Sequence, residues 1–367
     1  MIDAQSNRLV VATSLNDDPQ STTAQTNQGL ARWMAEIQGL EYSEGAPASL
    51  PPGRRIYWVP SETVIGREQA KAMGIHGPLD LFGGYVEQAY QAGKAIAHPL
   101  IENPTLTPRG WSETFSTQVK SVVLDGESVF CRSDAWRCAS SRLHRGQQRL
   151  KPATCRGGQG QHVVGDVDEL SEALDSYGDD AYAEGLVIED NLQDVQTLSV
   201  GQAMINGMLL SYHGVQHQDP NTRGNLVYGG SDLVVVRGDF DCLLALDLAD
   251  EVRVAIHQAQ LFDRSAHQLF PHFFASRRNY DIAQGKDING LQCSGVLEQS
   301  WRIGGASSAE LAALEAFVAD PALPVVRASS IEIFQEQTLP ANARVIYRGS
   351  DEHGDFLLKY AMVEPYD

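Results

Sequence analysis

Short apolar runs alternating with amphipathic stretches organise the first hundred residues of this chain. Arg8 to Thr13 (RLVVAT) predicts a strand, and Leu30, Met34 and Ile37 recur at helical spacing in a helix from about Gln28. Arg55 to Val59 predicts a second strand, Arg67 to Met73 a helix, and Ala95 to Leu100 a third strand stopped at Pro99. The pattern is that of an α/β layer. It holds no G-x-G-x-x-G after a strand, so a dinucleotide site is not supported there.

After a loop-like stretch from Asn103 to Gly110, Lys120 to Leu124 predicts a strand, followed by a helix that Ser133 or Asp134 could cap. Gln148 to Pro152 and His162 to Val164 predict strands on either side of a glycine-rich segment. Asp166 with Glu169 forms a capping box for a helix to about Tyr177, and Ala183 to Glu189 is a strand broken by Asn191 and Leu192. Further strands are expected at Gln196–Val200, Gly207–His213, Leu233–Arg237 and Gly295–Leu297. An amphipathic helix spans Asp250 to about Leu269, another follows Ser307, and strands fill the tail from Ser330 to Val363. The expected division is 1–109, 110–190 and 191–367.

Composition narrows the class. With 367 residues, 43% hydrophobic and 20% charged, the chain can bury more than one core. No run approaches the roughly 20 apolar residues of a membrane span, and no signal peptide is visible at the start. A formal net charge of -19 argues against nucleic acid or an anionic membrane as partner. Five cysteines without C-x-x-C spacing fit free thiols in a reducing cytoplasm better than a disulfide framework.

Two segments suggest chemistry. Gln148 to Gln161 reads QRLKPATCRGGQGQ, in which consecutive glycines let backbone N–H groups converge on one anion, with Lys151 as a point charge beside it. Without a Gly-Lys-Ser/Thr it is no Walker A loop, and a tight hairpin turn is the competing reading. The second segment is SRRNYD (Ser276–Asp281) followed by GVLEQSWRIGGAS (Gly295–Ser307). If residues 285–294 form a turn, Asp281 and Glu298 meet on adjacent strands as hard oxygen ligands for Mg2+. Arg302 and Arg277 or Arg278 could then reach phosphate oxygens. Strand alternation puts Glu298, Ser300 and Arg302 on one face and Trp301 on the other. An internal Glu–Arg ion pair in an ordinary hairpin is the alternative.

Taken in order, these segments resemble the ATP-grasp superfamily over about residues 110–320. The wider chain resembles a bacterial ATP-grasp-like family carrying a domain of unknown function, on YGGSDL (Tyr228–Leu233), SRRNYD and LEQSWRIGGAS. The resemblance implies two α+β lobes sandwiching ATP, preceded by a Rossmann-like α/β domain. It implies that Lys151 contacts phosphate and that Arg156, Gly157, Gly158, Gln159 and Gly160 cover it. Backbone groups of Glu189, Asp190, Asn191 and Leu192 would meet adenine. Asp281, Glu298 and Ser300 would hold Mg2+, with Ser300 a shorter, weaker ligand where asparagine is usual. Lys151, Arg278 and Arg302 would neutralise charge in an ADP-forming ligase that activates a small-molecule carboxylate as an acylphosphate. Two alternatives stay open: a small-molecule kinase, with His213, His217 or Asp219 as base, and a degenerate ATP-binding protein. Tyr228, Gly230, Ser231 and Asp232 could line an acceptor pocket, and a homodimer is a possible assembly.

Overall fold

Three parallel strands, β1 (Arg8–Thr13), β2 (Glu41–Ser43) and β3 (Arg55–Pro60), form a sheet in the order β2-β1-β3. Helix α1 (Thr22–Gln38) makes the crossover from β1 to β2; Ser21 caps it by accepting from the Ala24 N–H, and Gly39 ends it in the left-handed region. The chain is seen in a computed structural model that describes residues 7–15, 18, 20–155 and 159–366. Strands β4 (Val64–Ile65) and β5 (Gly84–Val86) flank helix α2 (Arg67–Met73). They form a small sheet with β13 (Phe274–Ala275), which comes from much later in the chain.

The next section holds α3 (Glu113–Val119) and the antiparallel sheet β6-β9-β7-β8, with β6 (Gly126–Val129), β7 (Gln148–Pro152), β8 (His162–Val164) and β9 (Leu186–Asp190). Helices α4 (Arg132–Arg142), α5 (Val167–Ser176) and α6 (Asp179–Glu184) accompany it. Its core joins Leu150, Ile188, Leu170 and Leu174.

The remaining strands are β10 (Gln193–Ile205), β11 (Met208–Pro220), β12 (Leu226–Arg237), β14 (Arg277–Lys286), β15 (Gln292–Ser300), β16 (Val325–Ile333), β17 (Arg344–Ser350) and β18 (Phe356–Pro365). They form one antiparallel sheet, β15-β14-β10-β11-β12-β16-β18-β17. Beside α7 (Phe240–Leu244), α8 (Asp250–Leu269) presses Ile256, Ala259 and Phe262 against Val200, Tyr280 and Ile282 on one sheet face. On the other face α9 (Ser307–Ala319) packs Leu311, Leu314 and Phe317 against Ala203, Leu210 and Val235, and α1 joins the same core through Trp33 and Met34.

Three local expectations are corrected. Ala95–Leu100 is not a strand: 3-10 turns occupy Ala89–Ala92 and Lys94–Ala97, and Gly93 passes so close to Ala153 that a Cβ would stand 3.0 Å from its carbonyl oxygen. An apolar run signals burial without choosing its conformation. Lys120–Val122 is also a 3-10 turn, and the strand begins at Gly126. Cys131, not Ser133 or Asp134, stands at the start of α4, because Asp134 instead accepts from the N–H and hydroxyl of Thr105.

Gly201 on β10 is a sterically demanding position. A Cβ there would lie 2.5 Å from the Arg278 carbonyl oxygen and collide with the Tyr212 hydroxyl. Gly201→Ala is expected to cost about 3 kcal/mol, the upper end for overpacking, measured by urea unfolding. A loss under about 0.5 kcal/mol would show that the strands can part there.

Candidate active site

The β14–β15 hairpin fixes the carboxylate pair. Its turn closes on Asp287 Oδ1, which accepts from the N–H groups of Asn289 (2.9 Å) and Leu291 (2.8 Å), with Gly290 at φ 79°. The resulting register sets Asp281 opposite Glu298, with a bulge just beyond. Asp281 Oδ1 accepts from Ser199 Oγ (3.0 Å), Gln216 Nε2 (2.8 Å) and Asn279 Nδ2 (2.9 Å). Burial and then the Glu298 charge raise its pKa above the ordinary aspartate value, and the three neutral donors do not offset them. Glu298 Oε2 pairs with Lys94 Nζ at 2.8 Å.

Beneath the pair lies a buried charged network. Arg277 donates to Glu310 in the first turn of α9, from Nη2 at 2.8 Å and Nε at 3.1 Å. Its Nη1 donates to the Arg302 carbonyl (2.6 Å) and to the Ser300 carbonyl and hydroxyl (3.3 Å each). The Tyr212 hydroxyl donates toward Glu310 Oε1 at 2.7 Å and stands 2.9 Å from Asn279 Oδ1. Burial works against the Arg277 charge, but Glu310 outweighs it and raises the pKa further.

A second buried group joins the 110–190 section to the segment before it. Lys151 Nζ lies 2.6 Å from Glu189 Oε1, and His98 Nε2 lies 3.2 Å from Glu189 Oε2. All three side chains are at most 3% exposed. Burial pushes the Glu189 pKa up, but the Lys151 charge and the His98 bond prevail and hold it at about 2.

A cleft of about 580 Å³ opens beside these groups. Lys94, Arg109, Thr154, Glu298, Ser300 and Arg302 are among the residues that line it. Arg302 Nε is 3.7 Å from Glu62 Oε2. Among the described residues no group of three or more His, Cys, Asp or Glu side chains forms a metal cluster, so Asp281 and Glu298 are a pair and no more.

The sequence-derived residues therefore separate. Glu298, Ser300 and Arg302 line the cleft together and Asp281 stands opposite Glu298 without lining it, although the Ser300 hydroxyl faces Arg277. Lys151 does not line the cleft; its ammonium is taken up by Glu189. Arg278 is on the opposite sheet face, where it meets Asp263 (3.0 Å) and Gln202, because residues 277, 279 and 281 share the other face. Parity with Asp281 was the available signal for choosing Arg277.

Arg156, Gly157 and Gly158 lie outside the described residues. Gln159 is exposed, and Gly160 accepts from the Tyr177 hydroxyl through its carbonyl (2.9 Å). Asp190 and Asn191 already donate their N–H groups to the Asp125 and Gln147 carbonyls (3.0 Å each). Their side chains are held by Arg142, Arg145 and Arg149, while Leu192 packs with Leu124 and Ala283. The N–H groups of Asp190 and Asn191 are thus committed to strand pairing rather than open to a base.

Tyr228 and Ser231 extend the polar face of Asp281: the Tyr228 hydroxyl is 2.6 Å from Ser231 Oγ and 3.0 Å from Ser330 Oγ. The Gly230 backbone approaches Ser330, so a Cβ there would collide with the Ser330 carbonyl oxygen. Asp232 is on the reverse face, paired with His217 at 2.7 Å. Alternation along β11 also puts His213 and Asp219 there. Sequence reading missed Lys94, Ser199, Gln216, Asn279, Tyr212 and Glu310. Of these, only Asn279 carried a parity signal, from its place two residues before Asp281.

Residues 10–361 match the family described as Protein of unknown function (DUF3182). The chain belongs to this family. No curated protein matches this DUF3182 chain in sequence. Among solved structures it is similar to D-alanyl-alanine synthetase A from Vibrio cholerae O1 biovar eltor str. N16961, at 11% identity and TM-score 0.45, covering 81% of this chain and 89% of that one. It is also similar to D-cycloserine synthetase DcsG, at 11% identity and TM-score 0.39, covering 81% and 92%. Among the described residues of the DUF3182 chain, no helix is long and apolar enough to cross a membrane.

Proposed function

We propose that this protein is an ATP- and Mg2+-dependent ligase of ATP-grasp type that activates a small-molecule carboxylate as an acylphosphate for attack by an amine or other nucleophile. The observation that carries the reading is the cross-strand pairing of Asp281 with Glu298, the member of the pair that lines the cleft. Two carboxylates set opposite each other on adjacent strands suit a divalent cation, and all three donors to Asp281 converge on Oδ1. Asp281 and Glu298 would hold Mg2+, which supplies charge neutralisation on phosphate oxygens. Ser300 fits less well, since Arg277 Nη1 lies 3.3 Å from its hydroxyl. Arg302, which lines the cleft, would orient a phosphate or acyl group there, and Arg277 holds the Ser300 and Arg302 carbonyls at the strand end that carries it. Lys151 acts indirectly, through Glu189.

A degenerate ATP-binding protein is the second reading, favoured by the engagement of Ser300 and of Glu298. The kinase reading is weakened because His213, His217 and Asp219 lie on the reverse face.

Calorimetry of ATP binding with and without Mg2+, on wild type and Glu298→Ala, tests the site. Binding should need Mg2+ and weaken about tenfold or more in the variant, about 1.4 kcal/mol. Binding indifferent to both would overturn the assignment. ADP release stimulated by a carboxylate plus an amine, against none, then separates ligase from binder.

A further inference from the structure

Gly93 and Lys94 occupy a junction of three parts of the chain. The Lys94 N–H donates to the Ala153 carbonyl at 3.0 Å, at the root of the glycine-rich segment. Gln299 Nε2, on the acidic strand, donates to the Gln91 and Gly93 carbonyls at 3.1 and 2.7 Å. The Lys94 ammonium, on a side chain only 8% exposed, bridges the Glu298 carboxylate and the Cys155 carbonyl. A lysine with its ammonium out of water needs such partners. One of those partners is a carboxylate assigned to the cation.

We infer that Lys94 is a built-in placeholder for the divalent cation: its ammonium neutralises Glu298 until the metal arrives, and then gives that oxygen up. The ammonium opposes metal binding in two ways, by occupying Glu298 and by repelling a second cation. Its other bond, to the Cys155 carbonyl, ties the exchange to the root of the glycine-rich segment. Lys94 is thus a positioning residue that couples that segment to the carboxylate pair. The inference rests on the proposed metal site.

The test uses Mn2+ as probe, without nucleotide, with free Mn2+ read by electron paramagnetic resonance on the full chain. Wild type, Lys94→Met, Lys94→Arg and Glu298→Gln are compared, with thermal melts to establish folding. Lys94→Met should bind Mn2+ about tenfold more tightly than wild type, and Lys94→Arg should stay near wild type. A merely structural role would weaken binding instead. Mn2+ binding that depends on Glu298 but is equal or weaker in folded Lys94→Met overturns the placeholder role and leaves the metal site standing. Should Lys94→Met fail to fold, Lys94→Gln takes its place, with the same outcomes. If no variant binds Mn2+, the metal site and the placeholder fall together.

Discussion

Glu310→Ala is expected to lose about 3–5 kcal/mol of stability in urea unfolding at pH 7, because it strands the Arg277 guanidinium in the interior without a counter-charge. Glu310 is fully buried and accepts from Arg277 through both oxygens and from Tyr212. Arg277→Met combined with Glu310→Gln removes both charges while keeping an acceptor for Tyr212, and should recover much of the loss. A single-variant loss below about 1 kcal/mol would show that water or another group satisfies Arg277. Arg277 Nη1 also holds the Ser300 and Arg302 carbonyls. A folded Glu310→Ala protein should therefore bind Mg2+-ATP more weakly, although Glu310 lies below the cleft rather than in it.

The network explains what was legible in the chain beforehand. Asp281 and Glu298 could be paired because the intervening Asp287-Ile288-Asn289-Gly290 carries its own turn chemistry, and that local signal fixes register. The α8 boundaries were equally local: the helical period runs from Asp250 to Leu269, and the structure gives the same bounds. Glu310 was not legible as a partner of Arg277. In sequence it is one acid near the start of a helix, and only the packing of α9 on the sheet carries it to the guanidinium. Lys94 fails for a similar reason. Its surroundings are apolar, so the run after it reads as core, while its charge is matched by groups from two distant segments. Lys151 shows the converse: the local pattern of strand, lysine and glycine loop suggests an exposed cation, but the β7–β9 pairing brings Glu189 to it.

That pairing carries the other large effect. Lys151→Met should destabilise the protein by about 3–5 kcal/mol at pH 7, since Glu189 would remain buried with only His98 beside it. The pH dependence has a definite sign. In wild type the Glu189 pKa is held at about 2, below the ordinary glutamate value of 4.5, so its contribution is fully present above about pH 4.5. It is lost as the pH falls from 4.5 toward 2. In Lys151→Met the desolvation of Glu189 loses its largest opponent, so its pKa rises and the carboxylate takes up a proton on mild acidification. The stability gap between the two proteins should therefore narrow as the pH falls from 7 toward 4, while titrations common to both cancel. Lys151→Met with Glu189→Gln should sit closer to wild type at pH 7, because no buried charge is left unmatched. A gap that stays constant over this pH range, or a double variant no more stable than the single one, would show that Lys151 supports the strand by packing alone. A narrowing gap and a rescued double variant would mean that Lys151 acts as the counter-charge that holds Glu189 ionised in the interior.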